Sequence, residues 1–327
     1  MPVISDELKK LLSRTDLNLP FENFLKIVEN DCQSLGQIKN YQPINEGYED
    51  ANIKIETSTG VFVLKIFSNE RDPQNIFDYI NITGKLFDLN VPTLKLIPAT
   101  KGKLGIIKNY SKTIYYFISE FFTGQNFQNS TPTLKDISII TQYLGKINTV
   151  QDKVKECYDS WGNKNLFQEY SHTYQFLTPP QNQLLKPIIN EFNKIDFSQL
   201  STSFIHGDIQ RKHVLKNNRN QYCILDFGCM SYGPKIIDLS TFLAWFCLTP
   251  NNYQNYQQIF NTVLEEYSKF HHLSDYEINT IPSLIKASYA AYFLKTSILT
   301  NQGDNSSETK EWLKTATEML SKTQNID

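Results

Sequence analysis

The sequence predicts an α+β fold in two parts, a small antiparallel sheet with one main helix and a larger part that is mostly helical. Three observations predict it. At 327 residues the chain is longer than a typical single domain. Apolar residues have strand spacing over much of residues 36–119, and helical spacing over most of residues 125–327. We therefore expect a sheet domain, a connection at residues 120–124 and a helical domain.

The sheet domain follows a helical extension, residues 1–35, whose apolar spacing is broken near Pro20. Three short β-rich runs come next, at residues 37–44, 51–58 and 61–67. Thr59 and Gly60 form a tight turn between the last two runs. A single helix is marked by apolar residues between positions 76 and 87, and further strands follow as far as residue 119.

The helical domain contains one exception, a short hairpin between residues 204 and 228. Its strands are predicted around Val214 and Cys223, with a turn of asparagines between them. One aspartate lies on each side of the hairpin, Asp208 in a His-Gly-Asp sequence and Asp226 in an Asp-Phe-Gly sequence. The hairpin should therefore hold the two carboxylates close together.

Composition and charge exclude several classes of protein. The net charge is −2, and no part of the chain is basic enough to suggest a nucleic-acid partner. The first residues mix acids with lysines, which is unlike a secretion signal. The longest apolar stretch, about ten residues, is too short to cross a bilayer. We expect a cytoplasmic protein without a membrane partner.

The chemistry that fits the two aspartates is transfer of a phosphoryl group from ATP to an alcohol. That reaction uses one carboxylate to orient the hydroxyl and accept its proton, another to bind Mg²⁺, and a lysine on the phosphates. Asp208, Asp226 and the strand residue Lys65 supply these groups in order. Lys65 also needs a carboxylate partner, for which Glu70 and Asp78 are candidates that the sequence does not separate.

The combination of motifs resembles the aminoglycoside phosphotransferase and choline kinase superfamily. Residues 41–67 are most similar to the kinase-like homoserine kinases. The resemblance implies a two-lobed, protein-kinase-like fold that uses ATP and Mg²⁺. It also implies that Asp208 is the catalytic base, that Asp226 binds the metal and that Lys65 holds the α and β phosphates.

The resemblance implies roles for other residues as well. Gly47 would lie over the ATP phosphates. Asp238 would brace the loop of His206, a histidine that we expect to be structural. Residues 119–124 are similar to the family's linker between lobes, where adenine would be bound by the backbone of three residues, Glu120, Phe121 and Phe122.

Two positions depart from the related motifs. Protein kinases place a metal-binding Asn five residues after the aspartate, and this chain has His213 there, which makes His213 the candidate second Mg²⁺ ligand beside Asp226. Imidazole suits zinc, copper or iron better than Mg²⁺, so either the metal site is weakened or the chain is a degenerate relative. The family often has a histidine where this chain has Asn148. Arg211 and Lys212 are either phosphate contacts or solvated charges on the hairpin.

The leading hypothesis is an ATP-dependent kinase for a small alcohol substrate, with homoserine as the first candidate. Aminoglycoside or choline-type phosphotransferases are alternatives, although the second half lacks the dense acidic cluster that a polycationic antibiotic should require. Another alternative is a nucleotide-binding relative that has lost catalysis. The last is a metal-dependent hydrolase with four ligands, His206, Asp208, His213 and Asp226.

Overall fold

The computed structural model describes residues 5–44, 49–109 and 112–324, and its α+β class confirms the sequence prediction. The chain divides into two compact units, Met1–Gly124 and Gln125–Asp327. The first unit contains an antiparallel sheet and the second is mostly helical. Across the described residues, none of the helices combines the length and apolar character needed to span a membrane.

The first unit is built on a sheet in the order β1-β2-β3-β6-β4, with β5 paired to β6. All its neighbouring strands are antiparallel. A tight turn of three residues, 58–60, joins β2 to β3, and the Thr57 N–H donates to the Gly60 carbonyl. The strands are β1 (Ile38–Ile44), β2 (Ala51–Thr57), β3 (Val61–Ile66), β4 (Leu96–Ile97), β5 (Gly105–Asn109) and β6 (Lys112–Glu120).

In the described part of the first unit, three α-helices accompany this sheet. The first two, α1 (Asp6–Leu12) and α2 (Phe21–Asp31), share one apolar core with β2 and β3. The main helix, α3 (Pro73–Asp88), begins where the Asp72 side chain accepts the Gln74 N–H and ends before Asn90, whose φ is +56°. The amphipathic patterns of the sequence therefore reflect burial against the sheet.

The second unit consists of seven helices and two small groups of strands within its described residues. The long helix α9 is buried along almost all of its length, and a π-helical turn, Leu243–Cys247, continues α7. The helices are α4 (Leu134–Ile147), α5 (Leu166–Thr173), α6 (Pro179–Phe192), α7 (Lys235–Phe242), α8 (Tyr256–Ser268), α9 (Asp275–Asn301) and α10 (Ser307–Thr323).

The short strands of the second unit position the two aspartates. The predicted hairpin is β9 (Val214–Lys216) with β10 (Tyr222–Ile224), and β7 (Gln125–Asn126) pairs with β9 on the other side. The remaining two strands, β8 (Thr202–Ile205) and β11 (Ser231–Pro234), pair with each other. Asp208 follows the end of β8, and Asp226 follows the end of β10.

Candidate active site

His206 connects the two aspartate loops. Its Nε2 donates to the Leu225 carbonyl at 3.0 Å, and its Nδ1 accepts the Asp208 N–H at 3.2 Å. Burial lowers the pKa of His206, so the ring is neutral near pH 7 and carries its proton on Nε2. Because Leu225 immediately precedes Asp226, this single ring fixes the backbone of one loop relative to the other.

Asp238 accepts hydrogen bonds from the backbone of the His206 loop. One carboxylate oxygen accepts the Gly207 N–H at 2.7 Å, and the other accepts the His206 N–H at 2.7 Å and the Asn148 side-chain amide at 3.0 Å. Burial raises the pKa of Asp238, an effect opposed by His206 and by these N–H donors. The Tyr267 hydroxyl donates to the Asn148 amide oxygen at 2.8 Å. Asn148 thus links the Tyr267 hydroxyl to the Asp238 carboxylate.

Gly207 and Asp226 have backbone conformations with positive φ that set the course of the two aspartate loops. Gly207 has a φ of +85°, and a Cβ there would lie 2.4 Å from the Cys229 carbonyl oxygen, so only glycine fits. Asp226 has a φ of +63°, which is uncommon for a residue with a side chain. Its carboxylate accepts the Gly228 N–H at 3.2 Å and is 43% exposed. Strain of this kind is typical of functional loops.

The Asp208 carboxylate is oriented by Gln210. The Gln210 side-chain amide donates both to Asp208 and to the hydroxyl of Tyr292 on α9. The side chain of Asp208 is 19% exposed, which leaves part of the carboxylate accessible. The sequence predictions omitted Gln210 and Tyr292. Nothing in the local sequence marks them, because they lie 82 positions apart.

His213 lies between the two aspartates. Its Nδ1 is 2.7 Å from the Asp208 backbone carbonyl oxygen and 3.4 Å from the Asp208 carboxylate. Its Nε2 is 3.6 Å from the Asp226 carboxylate. The structure therefore brings together three predicted site residues, Asp208, His213 and Asp226.

This group only partly fits a magnesium site. Mg²⁺ prefers oxygen ligands, which Asp226 and Asp208 can offer, whereas His213 presents a nitrogen. Within residues 5–44, 49–109 and 112–324 there is no group of three or more His, Cys, Asp or Glu side chains arranged to hold a metal. A four-ligand hydrolase site is also disfavoured, because both ring nitrogens of His206 are already hydrogen bonded.

A narrow cleft of about 10 Å³, large enough for about one water molecule, adjoins Asp208 and has aromatic walls. The three tryptophans of the chain surround Tyr292, with ring centroids 5.1 Å away for Trp161, 4.1 Å for Trp245 and 5.8 Å for Trp312. Trp245 comes from the π-helical turn after α7. Residues lining the cleft include Asp159, Trp161, Gly207, Asp208, Trp245 and Tyr292. Of the lining residues that the structure describes, none is a lysine or an arginine.

The two basic residues after Asp208 lie against protein groups. Burial lowers the pKa of Arg211, and the charge of its guanidinium interacts with Tyr289, Glu311 and Cys247. Lys212 places its ammonium 5.0 Å from the centre of the Trp312 ring. Contact of Arg211 with a transferring phosphate stays a prediction.

In the first unit, the partner of Lys65 is Asp50 rather than either of the two candidates from the sequence. The Lys65 ammonium is 3.0 Å from one Asp50 oxygen, and the other accepts from Arg71 at 2.9 Å and from the Ser68 N–H at 3.0 Å. Burial alone would raise the pKa of Asp50, but Lys65 and Arg71 lower it on balance. Both cations are thus anchored to one buried carboxylate.

The other two candidates lie elsewhere. Asp78 accepts a hydrogen bond from Gln74 on α3, and the exposed Glu70 uses its backbone N–H to bind the Ser68 hydroxyl. Asp50 directly precedes β2, whose residue Asn52 pairs with Lys65 in the sheet. Both sequence candidates follow Lys65 along the chain, whereas Asp50 precedes it and is brought close by the pairing of β2 with β3.

The predicted adenine-binding stretch follows the end of β6. The Glu120 N–H donates to the Lys95 carbonyl at 3.0 Å, and the Phe121 N–H donates to the Val61 carbonyl at 3.1 Å. These two N–H groups are therefore used within the first unit, and adenine binding by the backbone of residues 120–122 stays a prediction. Gly47, predicted to lie over the phosphates, falls outside the described residues.

Comparison with known proteins places these motifs in a family. Residues 40–270 match the phosphotransferase enzyme family, abbreviated APH. Because the match covers more than half of the chain, the protein belongs to this family. No curated protein matches the chain in sequence.

Solved structures of similar fold include three kinases. An amicoumacin kinase in complex with AMP-PNP, Ca²⁺ and its substrate has a TM-score of 0.68 at 14% identity, covering 98% of each chain. A microcompartment-associated aminopropanol kinase has a TM-score of 0.67 at 13% identity, covering 90% of this chain and 95% of that one. The choline kinase LicA from Streptococcus pneumoniae has a TM-score of 0.63 at 13% identity, covering 91% and 99%.

Family membership and these neighbours define the class of enzyme. The protein is a small-molecule phosphotransferase that acts on a hydroxyl group, as the sequence predicted. The resemblance to aminoglycoside phosphotransferases and choline kinases is confirmed. The finer likeness to homoserine kinases stays a prediction.

Proposed function

We propose that the protein transfers the γ-phosphoryl group of ATP to the hydroxyl of a small amino alcohol that carries a positively charged nitrogen and no carboxylate. The observation that carries this proposal is the lining of the narrow cleft beside Asp208, which combines aromatic side chains with Asp159 and must widen to admit an acceptor. Aromatic faces bind ammonium groups through cation–π interactions, and a carboxylate adds direct charge pairing.

Asp208 is the catalytic residue in this proposal. The acceptor oxygen forms a bond to the γ phosphorus while the bond from that phosphorus to the β–γ bridging oxygen breaks. The hydroxyl proton passes to the Asp208 carboxylate, and ADP leaves. Gln210, held by Tyr292, keeps the carboxylate in one orientation. Correct positioning accounts for most of the rate in phosphoryl transfer.

In this proposal the nucleotide is bound by the residues that the sequence motifs predicted. Lys65 binds the α and β phosphates, and Asp50 and Arg71 keep it in place. Adenine binds at residues 120–122. A divalent cation, held in part by Asp226, supplies charge neutralisation on the phosphates when bound. The amicoumacin kinase of similar fold, solved with AMP-PNP and Ca²⁺, supports a nucleotide and a divalent cation as ligands.

The acceptor class follows from the chemistry of the cleft lining. Asp159 accepts the Trp161 backbone N–H at 2.8 Å, so the carboxylate and the indole of this loop are positioned together. A choline or aminopropanol-like molecule would place its cation against the half-buried Trp161, beside Asp159, with its hydroxyl toward Asp208. The names of two structural neighbours, an aminopropanol kinase and a choline kinase, agree with such a substrate.

Homoserine is a second candidate because two groups near the cleft could donate hydrogen bonds to its carboxylate. Such donors are needed because the cleft lining contains two aspartates. The Trp245 indole N–H is buried without a partner in the described part of the chain, and Lys212 lies against Trp312 at the edge of the tryptophan cluster. We rank homoserine second because like charges oppose its carboxylate.

The test is a coupled ADP-release assay on the purified protein with ATP, Mg²⁺ or Mn²⁺, and one acceptor at a time. The acceptors are choline, aminopropanol, homoserine, methylthioribose and spectinomycin. We expect turnover with an amino alcohol, and turnover with homoserine alone or with a neutral alcohol would contradict the proposed acceptor class. Nucleotide binding without turnover of any acceptor would identify a degenerate relative.

Two variants test how the acceptor is bound. Asp159→Asn and Trp161→Leu should each raise the KM for the amino alcohol about tenfold or more while the KM for ATP stays constant. Lys212→Ala is the matched control, because this lysine lies outside the described cleft lining. If Lys212→Ala alone raises the acceptor KM, the homoserine alternative is favoured instead.

A further inference from the structure

We infer that His213 Nε2 and the Asp226 carboxylate form a mixed nitrogen–oxygen metal site that binds transition-metal dications such as Mn²⁺ or Co²⁺ in preference to Mg²⁺. This inference rests on the proposed function, because it assigns the divalent cation of that same site. The observation behind it is the placement of the His213 ring between Asp208 and Asp226.

The hydrogen bonding of the ring decides which nitrogen is available. His213 Nδ1 lies 2.7 Å from the Asp208 backbone carbonyl, and a carbonyl can only accept, so Nδ1 carries a proton. In the neutral ring the lone pair is then on Nε2. Metal-binding histidines are typically oriented in this way, with the other ring nitrogen donating to a backbone carbonyl.

The distances allow both groups to bind one ion. Nε2 is 3.6 Å from the nearer Asp226 oxygen, which is longer than a hydrogen bond. Metal–nitrogen and metal–oxygen bonds to such ions are about 2.0–2.2 Å each. Their sum, about 4.2 Å, exceeds the separation of the two atoms, so an ion can contact both without movement of either backbone.

The backbone around the ring is fixed. His213 is 8% exposed and lies in a short helical turn, Arg211–His213, where its N–H donates to the Gln210 carbonyl. Its own carbonyl accepts the Leu225 N–H at 2.8 Å, next to Asp226. The two ligands therefore sit at the paired ends of one hairpin, and their separation is set by strand pairing.

The donor atoms determine the preference among ions. Mg²⁺ binds oxygen and rarely nitrogen, whereas imidazole suits first-row transition metals. An asparagine at this position would offer an oxygen. Replacing an oxygen by a nitrogen should shift the site away from Mg²⁺. The other chemical possibility is an imidazolium that pairs with both carboxylates and binds no metal.

The direct test detects nitrogen on the bound ion. Mn²⁺ is added to the full-length protein with a non-hydrolysable ATP analogue, and the electron spin echo modulation of Mn²⁺ is recorded. We expect modulation from a coordinated ¹⁴N in the native protein and its loss in His213→Asn. The same substitution should weaken Mn²⁺ binding about tenfold or more, while the affinity for Mg²⁺ stays equal or increases.

His271→Asn is the matched control, because that histidine donates to the Gly145 carbonyl on α4 and is not part of this group. Thermal melting confirms that each variant is folded. Bound Mn²⁺ without ¹⁴N modulation, no bound Mn²⁺, or equal metal selectivity in His213→Asn would each overturn the inference. ADP release in the same samples separates the two proposals, because turnover without ¹⁴N modulation refutes only the metal assignment. Modulation without turnover of any acceptor refutes only the kinase.

Discussion

The two units hold the carboxylates of the candidate site by different means. In the first unit, Asp50 is closed between two cations, Lys65 and Arg71, and its side chain is 3% exposed. In the second unit, Asp208 and Asp226 lie on loops that the neutral ring of His206 joins, and their side chains are 19% and 43% exposed. The first arrangement fixes a lysine, and the second leaves carboxylates accessible for chemistry.

This difference predicts whether a substitution should mainly lower stability or mainly lower activity. Removing a carboxylate from the closed cluster leaves buried charges without compensation, which costs stability. Removing one from the accessible pair costs little folding energy and should remove activity instead. Stability and activity measured on the same variants therefore distinguish the two kinds of carboxylate.

The largest effect is expected for Asp208→Asn. The amide keeps the shape of the side chain but accepts no proton, so ADP release should fall about 10²–10⁴-fold. The melting temperature and the affinity for ATP should stay close to those of the native protein. Activity retained within tenfold would show that another group accepts the proton.

Asp50→Ala should have the largest effect on folding. It leaves Lys65 and Arg71 without their shared carboxylate, and the free energy of unfolding should fall by about 3–5 kcal/mol in denaturant titrations. Glu70→Ala, at an exposed carboxylate nearby, is the control and should change it by about 0.5 kcal/mol or less. Equal effects from the two variants would contradict the closed-cluster description.

Gly207→Ala tests the close approach in the second unit. The new Cβ would lie 2.4 Å from the Cys229 carbonyl oxygen, so the loop of Asp208 must shift. We expect a loss of about 1–3 kcal/mol in unfolding free energy, with lower activity. Gly303→Ala separates conformation from crowding, because Gly303 has a φ of +99° and no atom within 4 Å of the added Cβ. Its effect should be smaller and leave activity unchanged.

The smallest effect is a pH dependence that comes from His206. Burial lowers its pKa below the usual 6.5, so the unfolded chain binds more protons than the folded one as the pH falls below that value. The contribution of His206 is complete above about pH 6.5 and declines at lower pH. Denaturant titrations between pH 5.5 and 7.5 should show it as a difference between the native protein and His206→Gln. His271, whose pKa is also lowered by burial, contributes equally to both.

Local motifs predicted the frame of the site. Asp208, Asp226 and the hairpin between them are within 25 consecutive residues, so strand spacing and turn residues were enough to place them. Lys65 was recognised in the same way, as a charge inside an apolar strand. The partner of Lys65 was not, although Asp50 lies only 15 positions away. Strand pairing brings those two together, and a pattern read along one strand does not show its register.

Local spacing and motifs in the amino-acid sequence were enough to predict the order of strands and helices, the paired aspartates and the enzyme class. Only the tertiary structure decided the surroundings of these groups. Gln210 meets Tyr292 across 82 positions, and three tryptophans from separate elements enclose that tyrosine. Such contacts arise when distant segments pack into one core, and apolar periodicity indicates that a residue is buried without specifying its neighbours.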